Sequence, residues 1–151
     1  MGAPAIRRAR EAAEVYRELA AVRPDAFRPD LALSLVNLSA LLGDLGRREE
    51  ALAASREAAE VYRELAAARP DAFRPDLASS LNNLSVALAG LGRLEEALAA
   101  IREAVSIRRE LAARWPDAHE QELEQSLRVV AWLEQRERED VSDVSLQEPK
   151  T

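Results

Sequence analysis

The sequence predicts an all-α protein, a right-handed solenoid of about six antiparallel helices. Three observations predict this fold. The segment REAAEVYRELAA begins at Arg10 and again at Arg56, and a diverged copy, REAVSIRRELAA, begins at Arg102, so the period is 46 residues. Alanine, leucine, glutamate and arginine, which are strong helix formers, dominate the composition. Proline and glycine recur at fixed places in each period, where they begin and end helices.

Each unit is predicted to contain a shorter helix A, over about residues 30–44 and 76–90. Pro29 and Pro75 stand just before these segments, and the first helical turn tolerates proline because its N–H groups have no helical partner. The glycines that end these segments are Gly46 and Gly92.

The longer helix B is predicted over about residues 48–68 and 94–114, and a first helix B over about residues 5–22 has no helix A ahead of it. Each helix B ends before an Arg-Pro or Trp-Pro step, because proline disfavours helical backbone in the residue before it. Residues 140–151 are polar and lack periodicity, which predicts a disordered tail. The predicted repeat domain, residues 1–139, consists of a half repeat, two repeats and a terminal helix, at residues 5–24, 29–70, 75–116 and 119–137.

Composition and charge narrow the function classes. The formal charge of −6 argues against nucleic acid as the main partner, since phosphate binding needs a basic face. No stretch is apolar enough to span a membrane, and the N-terminal segment lacks the apolar core of a signal peptide. We therefore expect a cytoplasmic protein that binds neither nucleic acid nor membranes.

The sequence contains no constellation of residues that predicts catalysis. Phosphate-binding glycine loops and nucleophile motifs are missing, as is cysteine. The only histidine, His119, aligns by period with Phe27 and Phe73 in a predicted inter-helix loop, which favours a packing role; metal binding with Glu120 and Glu122 is the alternative. We expect no enzyme activity, no cofactor and no metal.

The residues inside each unit resemble the tetratricopeptide repeat, in which small and large residues alternate at fixed spacings on two helices. The second unit has Leu81, Leu84, Ser85, Leu88, Ala97, Ile101 and Ala104, and the first has Leu35, Leu38, Ser39, Leu42, Ala51, Ser55 and Ala58. Leucine replaces the family's tryptophan and tyrosine, and serine replaces its glycine. Helix B is longer than in the usual unit of about 34 residues. This extension is similar to the long-helix subclass found in kinesin light chains and in sensor regions of bacterial signalling ATPases.

The resemblance implies a protein-interaction module with a concave groove lined by one face of helix A. Residues 10–55 and 56–101 are identical at 37 of 46 positions, and five of the nine differences fall on one stripe of helix A. The copies therefore differ along the predicted ligand face, although neutral drift on an exposed surface is the alternative. Against drift, the exposed arginines and glutamates of helix B are nearly unchanged. The stripe assigns to a peptide-binding groove Leu33, Val36, Ala40, Asp44, Ser79, Asn82 and Val86, and its projection onto the last helix adds Arg128 and Trp132.

Two asparagines, Asn37 and Asn83, lie beside this stripe and match the groove asparagine of the family, which hydrogen-bonds a bound peptide backbone. An amide side chain can both donate to and accept from a main chain. A hydrogen bond within the protein's own scaffold is the alternative. The basic residues of the carboxylate clamp found in chaperone-binding members are missing, so that ligand is not predicted.

The predicted function is binding of a protein or peptide, as part of a larger bacterial signalling or scaffold protein. The alternative is structural self-assembly through open repeat ends. On the first helix, Ala5, Ala9 and Ala12 align with the small positions that face helix A in a complete unit. This edge is predicted to pack on a second copy as a homodimer, unless the chain is cut from a longer array or the alanine face tolerates water.

Overall fold

The computed structural model describes residues 2–146, and this part of the chain forms six α-helices and no strand. The helices are α1 (Gly2–Val22), α2 (Pro24–Asp44), α3 (Arg48–Ala68), α4 (Pro70–Gly90), α5 (Leu94–Arg114) and α6 (Pro116–Leu146). α1, α3 and α5 are the B helices, α2 and α4 are the A helices, and α6 occupies the next A position. The prediction of an all-α repeat of about six helices is confirmed, and the right hand of the stack stays a prediction.

A single residue connects each B helix to the next A helix. Arg23, Arg69 and Trp115 have φ of −133°, −139° and −135° and ψ of 78°, 76° and 74°, outside the helical region. This backbone is the one that a following proline favours, because the proline ring clashes with a helical residue before it. That proline then occupies the first position of the next helix, where its missing N–H costs nothing.

The predicted starts of helix A, near residues 30 and 76, are wrong. α2 and α4 begin six residues earlier, so that Pro29 and Pro75 lie inside the helices, and α6 likewise begins before residue 119. A proline in this position leaves one carbonyl, four residues before it, without an N–H partner. That carbonyl belongs to an exposed aspartate near the helix N-terminus, where solvent can hydrate it.

Glycines with positive φ end the A helices. Gly46 and Gly92 have φ of 73° and 75°, a left-handed conformation that residues with a side chain rarely adopt. The N–H of Gly46 donates to the carbonyl of Gly43 at 3.0 Å, and the N–H of Arg47 donates to the carbonyl of Leu42 at 2.9 Å. The second loop repeats both bonds, so each A helix ends in a Schellman motif.

The core lies between successive A and B helices, and each helix packs mainly on its neighbours in the sequence. The A helices contribute large leucines that are at most 2% exposed, namely Leu35, Leu42, Leu81 and Leu88. The B helices contribute small residues that are fully buried, namely Ala58, Ala97 and Ala104. Small residues let two helices approach closely, and the leucines fill the space between them.

A ladder of ion pairs joins successive B helices on the outer surface. In each pair an arginine contacts a glutamate 40 residues later in the sequence. The pairs are Arg10–Glu50, Arg17–Glu57, Arg56–Glu96 and Arg63–Glu103. The hydrogen bonds that Arg17 donates to Glu57 and Arg63 donates to Glu103 raise the pKa of both arginines. Each pair is half exposed, so solvent screening keeps its contribution to stability small, but the ladder gives a structural reason for the unchanged charges of the B helices.

The C-terminal end of α6 corrects the predicted disordered tail. Residues 140–146 continue the helix, and the remainder of that tail, residues 147–151, lies outside the described residues. The side chains of Ser142 and Ser145 donate to carbonyls four residues earlier, at 3.0 Å each, so they do not interrupt the helix. All seven residues are exposed, which means that this extension is helical without packing on the repeats.

Removal of residues 140–151 is therefore expected to change the melting temperature by less than about 2 °C, since residues 140–146 bury no core surface. Thermal unfolding followed by circular dichroism would measure the change. A fall of the melting temperature by more than about 5 °C would contradict this assignment, because it would require a docked segment.

Candidate functional site

The predicted groove residues of the two repeats lie on α2 and α4, and most of them are exposed. Leu33 and Val86 are exposed although apolar, at 54% and 51% of their surface. Val36 and Asn82 are half-buried, and Val36 packs against the core. The remaining exposed members are Asn37, Ala40, Asp44, Ser79 and Asn83.

A cleft of about 450 Å³ opens between α2, α3 and α4. It brings together four of the predicted groove residues, Val36 and Ala40 on α2 with Asn83 and Val86 on α4. Leu33, Asn37, Asp44 and Ser79 lie outside its lining. The other residues that line it are Ser39, Gly43, Arg48, Ala51, Ser55, Ala58, Ser80, Ala87 and Gly90.

The floor of the cleft is formed by α3 and carries small residues. Ser39 of α2 donates its hydroxyl hydrogen to the carbonyl of Ala51 at 2.9 Å, and its oxygen lies 2.6 Å from the Ser55 oxygen. Since the single hydrogen of Ser39 is already used, Ser55 donates to Ser39. Ala58 completes this floor. The floor is therefore apolar apart from the hydroxyls of Ser39 and Ser55, whose hydrogens both have acceptors within the protein.

The buried hydroxyl of Ser80, a residue that lines the cleft, has no partner within the described residues. Ser80 is 3% exposed, and its hydroxyl forms no hydrogen bond within residues 2–146. A buried hydroxyl without a partner is unfavourable by about 1–3 kcal/mol.

The rim of the cleft is open at one end and crossed at the other. A side chain added at Gly43 or Gly90 would meet no atom within 4 Å, so both glycines face open space. Arg48 of α3 reaches across to α4, where its Nη1 donates to the carbonyl of Gly90 at 3.3 Å. Asn83 is exposed at the rim, and its side chain forms no hydrogen bond within residues 2–146. Its amide is thus free to meet a ligand.

Asn82, by contrast, belongs to the packing between α4 and α6. Its Oδ1 accepts a hydrogen bond from the hydroxyl of Ser126 at 3.0 Å and a longer one from Arg108 at 3.4 Å. The stripe of sequence differences contained this residue, but its side chain holds the last helix in place.

The predicted groove residues of the last helix, Arg128 and Trp132, are exposed on α6. The guanidinium of Arg136 lies 5.1 Å from the centre of the Trp132 ring, a cation–π distance. The Nη1 of Arg136 also lies 3.4 Å from the carbonyl of Ala89 on α4. This part of the candidate groove is aromatic and cationic, but it does not line the cleft between α2, α3 and α4.

Sequence reasoning missed Arg108, which is 4% exposed at the junction of α4, α5 and α6. Its Nη1 donates to the hydroxyl of Ser126 at 2.6 Å and to the carbonyl of Glu122 at 3.0 Å. Burial lowers the pKa of Arg108, and the carboxylate of Glu122 opposes that effect. The repeat alignment could have indicated this residue, because Arg108 occupies the position that the buried Tyr62 occupies in the preceding unit.

The histidine predicted in a loop lies in a helix. His119 belongs to the first turns of α6, and its half-buried ring packs edge-on against Trp115 with 6.4 Å between ring centres. Its Nδ1 lies 3.3 Å from a carboxylate oxygen of Glu122. Within residues 2–146 no group of three or more histidine, aspartate or glutamate side chains is placed to hold a metal ion. None of the six described helices is both long and apolar enough to cross a bilayer.

The predicted self-association edge on α1 is covered less completely than the same face of the later B helices. Ala5, Ala9 and Ala12 are half-buried, whereas their counterparts on α3 are at most 5% exposed. On the same face, Val15 and Leu19 are 52% and 37% exposed, and their counterparts on α5 are only 6% and 8% exposed. An apolar stripe therefore runs along α1 in contact with solvent.

Comparison with known proteins identifies one family. A family model described as tetratricopeptide repeat matches residues 30–110, which is more than half of the chain. A search of curated proteins finds no match. The matched range extends from within α2 to within α5, and so includes most of α2, all of α4 and the residues that line the cleft.

Proposed function

Because the chain belongs to the tetratricopeptide repeat family, we propose that it is a peptide-binding module whose site lies in the groove along α2 and α4. Repeats of this family generally mediate protein–protein interactions and are typically non-catalytic. The observation that carries the proposal is the open cleft of about 450 Å³, whose walls include residues from the stripe where the copies differ. The resemblance of the long B helices to bacterial signalling proteins supports a role within a larger signalling or scaffold protein.

The chemistry of the groove suits an extended partner segment. Leu33, Val36 and Val86 offer apolar surface, which an aliphatic or aromatic side chain would remove from water. Asn37 and Asn83 are exposed one repeat apart, and neither amide forms a side-chain hydrogen bond within residues 2–146. Each amide is able to pair with a main-chain N–H and C=O. A peptide would thus gain orientation from the amides and affinity from the apolar contacts.

The proposal can be tested with peptides selected from a random displayed library on the immobilised protein. We expect enriched peptides whose binding, measured by calorimetry, becomes at least about tenfold weaker in Val86→Arg and a few-fold weaker in Asn83→Ala. Both residues are exposed, so the melting temperature should change little. Val141→Arg is the matched control, because Val141 is an equally exposed valine on the unpacked end of α6. Enrichment no greater than on an unrelated helical protein, or equal binding by all three variants, would refute the groove.

A second candidate function is self-assembly through α1. The exposure of Val15 and Leu19 favours it, because the same positions on α5 are buried. A second copy that covers this stripe would supply the burial that a neighbouring helix supplies in the later units. A measurement of the oligomeric state distinguishes this function from peptide binding.

A further inference from the structure

We propose that the cleft between α2, α3 and α4 is an anchor pocket for one branched aliphatic side chain of the partner. This inference rests on the proposed peptide-binding function and names the partner chemistry that the site selects. It follows from a comparison of the two boundaries between A helices that this chain contains.

At the first boundary, the A helices α2 and α4 both pack on α3. At the second boundary, the A helices α4 and α6 both pack on α5. A shift of 46 residues superposes their sequences, so each residue of the cleft has a counterpart at the second boundary. The same backbone arrangement therefore occurs twice with different side chains.

At the second boundary the corresponding space is filled by the protein itself. Ile101 replaces Ser55, Leu133 replaces Ala87 and Leu94 replaces Arg48. Ile101 and Leu133 are fully buried, and Leu94 is 8% exposed. Protein interiors favour close packing, and at the first boundary small residues leave that space empty. The occupants at the second boundary show that branched aliphatic side chains suit this site.

The polar partner of the site is missing at the first boundary as well. Ser80 corresponds to Ser126, whose hydroxyl is bonded to Arg108 and Asn82. The first boundary has Tyr62 and Val36 at those two positions, and the buried Ser80 hydroxyl is left without a partner within residues 2–146. The first boundary therefore lacks both the aliphatic side chains and the polar network that fill the second.

The lining also disfavours other anchors. Arg48 is the only ionisable residue of the lining, it lies at the rim, and its Nη1 is engaged with Gly90. A buried charge from the partner would thus find no counter-ion on the floor, and its desolvation would oppose entry. The volume of the cleft accommodates an aliphatic side chain together with main chain on either side.

The test uses blocked amino acids as probes, so that no natural partner is needed. The N-acetyl methylamides of leucine, alanine, phenylalanine and glutamate are titrated into the full chain in the millimolar range, and backbone amide shifts are followed by NMR. We expect the leucine probe to shift the amides of Ala51, Ser55 and Val86, and the alanine probe to bind at least about tenfold more weakly. No saturable shift with leucine, or equal binding of leucine, phenylalanine and glutamate, would overturn the proposal.

Ser55→Ile should close the pocket by supplying the side chain that the second boundary already contains. We expect loss of leucine-probe binding by at least about tenfold with no fall in melting temperature, because the isoleucine enters empty space. Ser106→Ile is the matched control, since Ser106 is an exposed serine on α5 and its replacement should leave binding unchanged. Ala87→Leu closes the same cleft from α4, and it tests the pocket if Ser55→Ile perturbs folding. Unchanged binding in a folded closed variant would overturn the pocket.

These results separate the pocket from the proposed function. Selected peptides that bind Ser55→Ile as well as the unaltered protein would overturn the pocket and leave groove binding intact. Specific leucine-probe binding without any enriched peptide would support the pocket and count against peptide binding.

Discussion

Replacement of Arg108 by alanine is expected to lower the free energy of unfolding by roughly 3 kcal/mol, which makes it the largest stability effect that we expect from a polar residue. The guanidinium bonds Ser126 and the carbonyl of Glu122 on α6, and its Nη groups also lie 3.4 Å from Asn82 and from the hydroxyl of Ser79 on α4. Its removal takes a donor away from the buried Ser126 hydroxyl and from the carbonyl of Glu122, and it leaves a cavity between three helices. Each missing bond and the cavity contribute in the same direction.

Thermal and urea unfolding would measure the effect. At about 2–4 °C per kcal/mol, the melting temperature should fall by roughly 6–12 °C. Hydrogen exchange should rise most in α6, because Arg108 bonds this helix to α4 and α5. The pKa of Arg108 is lowered by burial, but an arginine remains charged over the accessible pH range, so the effect should not depend on pH.

Arg109→Ala is the control for this prediction. Arg109 is the next residue of α5, has the same side chain and is exposed, so its replacement should change the free energy of unfolding by less than about 0.5 kcal/mol. Arg108→Tyr introduces the residue of the preceding repeat and should be less harmful than alanine, since Ser126 still bonds Asn82. Equal stabilities of Arg108→Ala and Arg109→Ala would show that the buried network does not hold α6.

The sequence predicted the bounds of α3 and α5 well because one physical rule acts at each end. A glycine with positive φ precedes each of these helices, and an X-Pro step ends it. The starts of the A helices were harder, because Pro24 and Pro29 both suit a first helical turn. Packing decides between them. Phe27 lies between the two prolines and packs against the core, which favours helix from the earlier proline. A prediction from neighbouring residues in the sequence does not take that tertiary contact into account.

The candidate groove could be predicted only in part. Comparison of the two copies identified Val36, Ala40 and Val86, which the structure brings to one cleft. The same comparison also contained the difference between Ser55 and Ile101. The consequence of this difference depends on which residues pack over α3, and the sequence alone does not show that packing. The unchanged charges of the B helices were an argument against neutral drift in the groove. The ion-pair ladder explains these charges without any ligand, so that argument is weaker. The case for the groove therefore depends on the cleft.

The second large effect concerns the apolar stripe of α1. We expect the unaltered chain to form a two-fold dimer in which this stripe meets its own copy, because Val15 and Leu19 are exposed there while the same positions on α5 are buried. Ala9→Glu together with Ala12→Glu would place two charges on each side of that contact. Like charges brought together out of water oppose association, so the dissociation constant should rise by at least about a hundredfold.

Sedimentation velocity at several concentrations would measure this change. Ala3→Glu with Ala21→Glu is the matched control, because both alanines are exposed on the opposite side of α1 and the same charges there should leave the dimer intact. Ala9 packs against the core, so Val15→Lys with Leu19→Lys provides a second test at positions that are already exposed. If the unaltered chain sediments as a monomer at high concentration, the stripe tolerates water and the dimer is ruled out. A dimer that survives both double substitutions would place the contact on another surface.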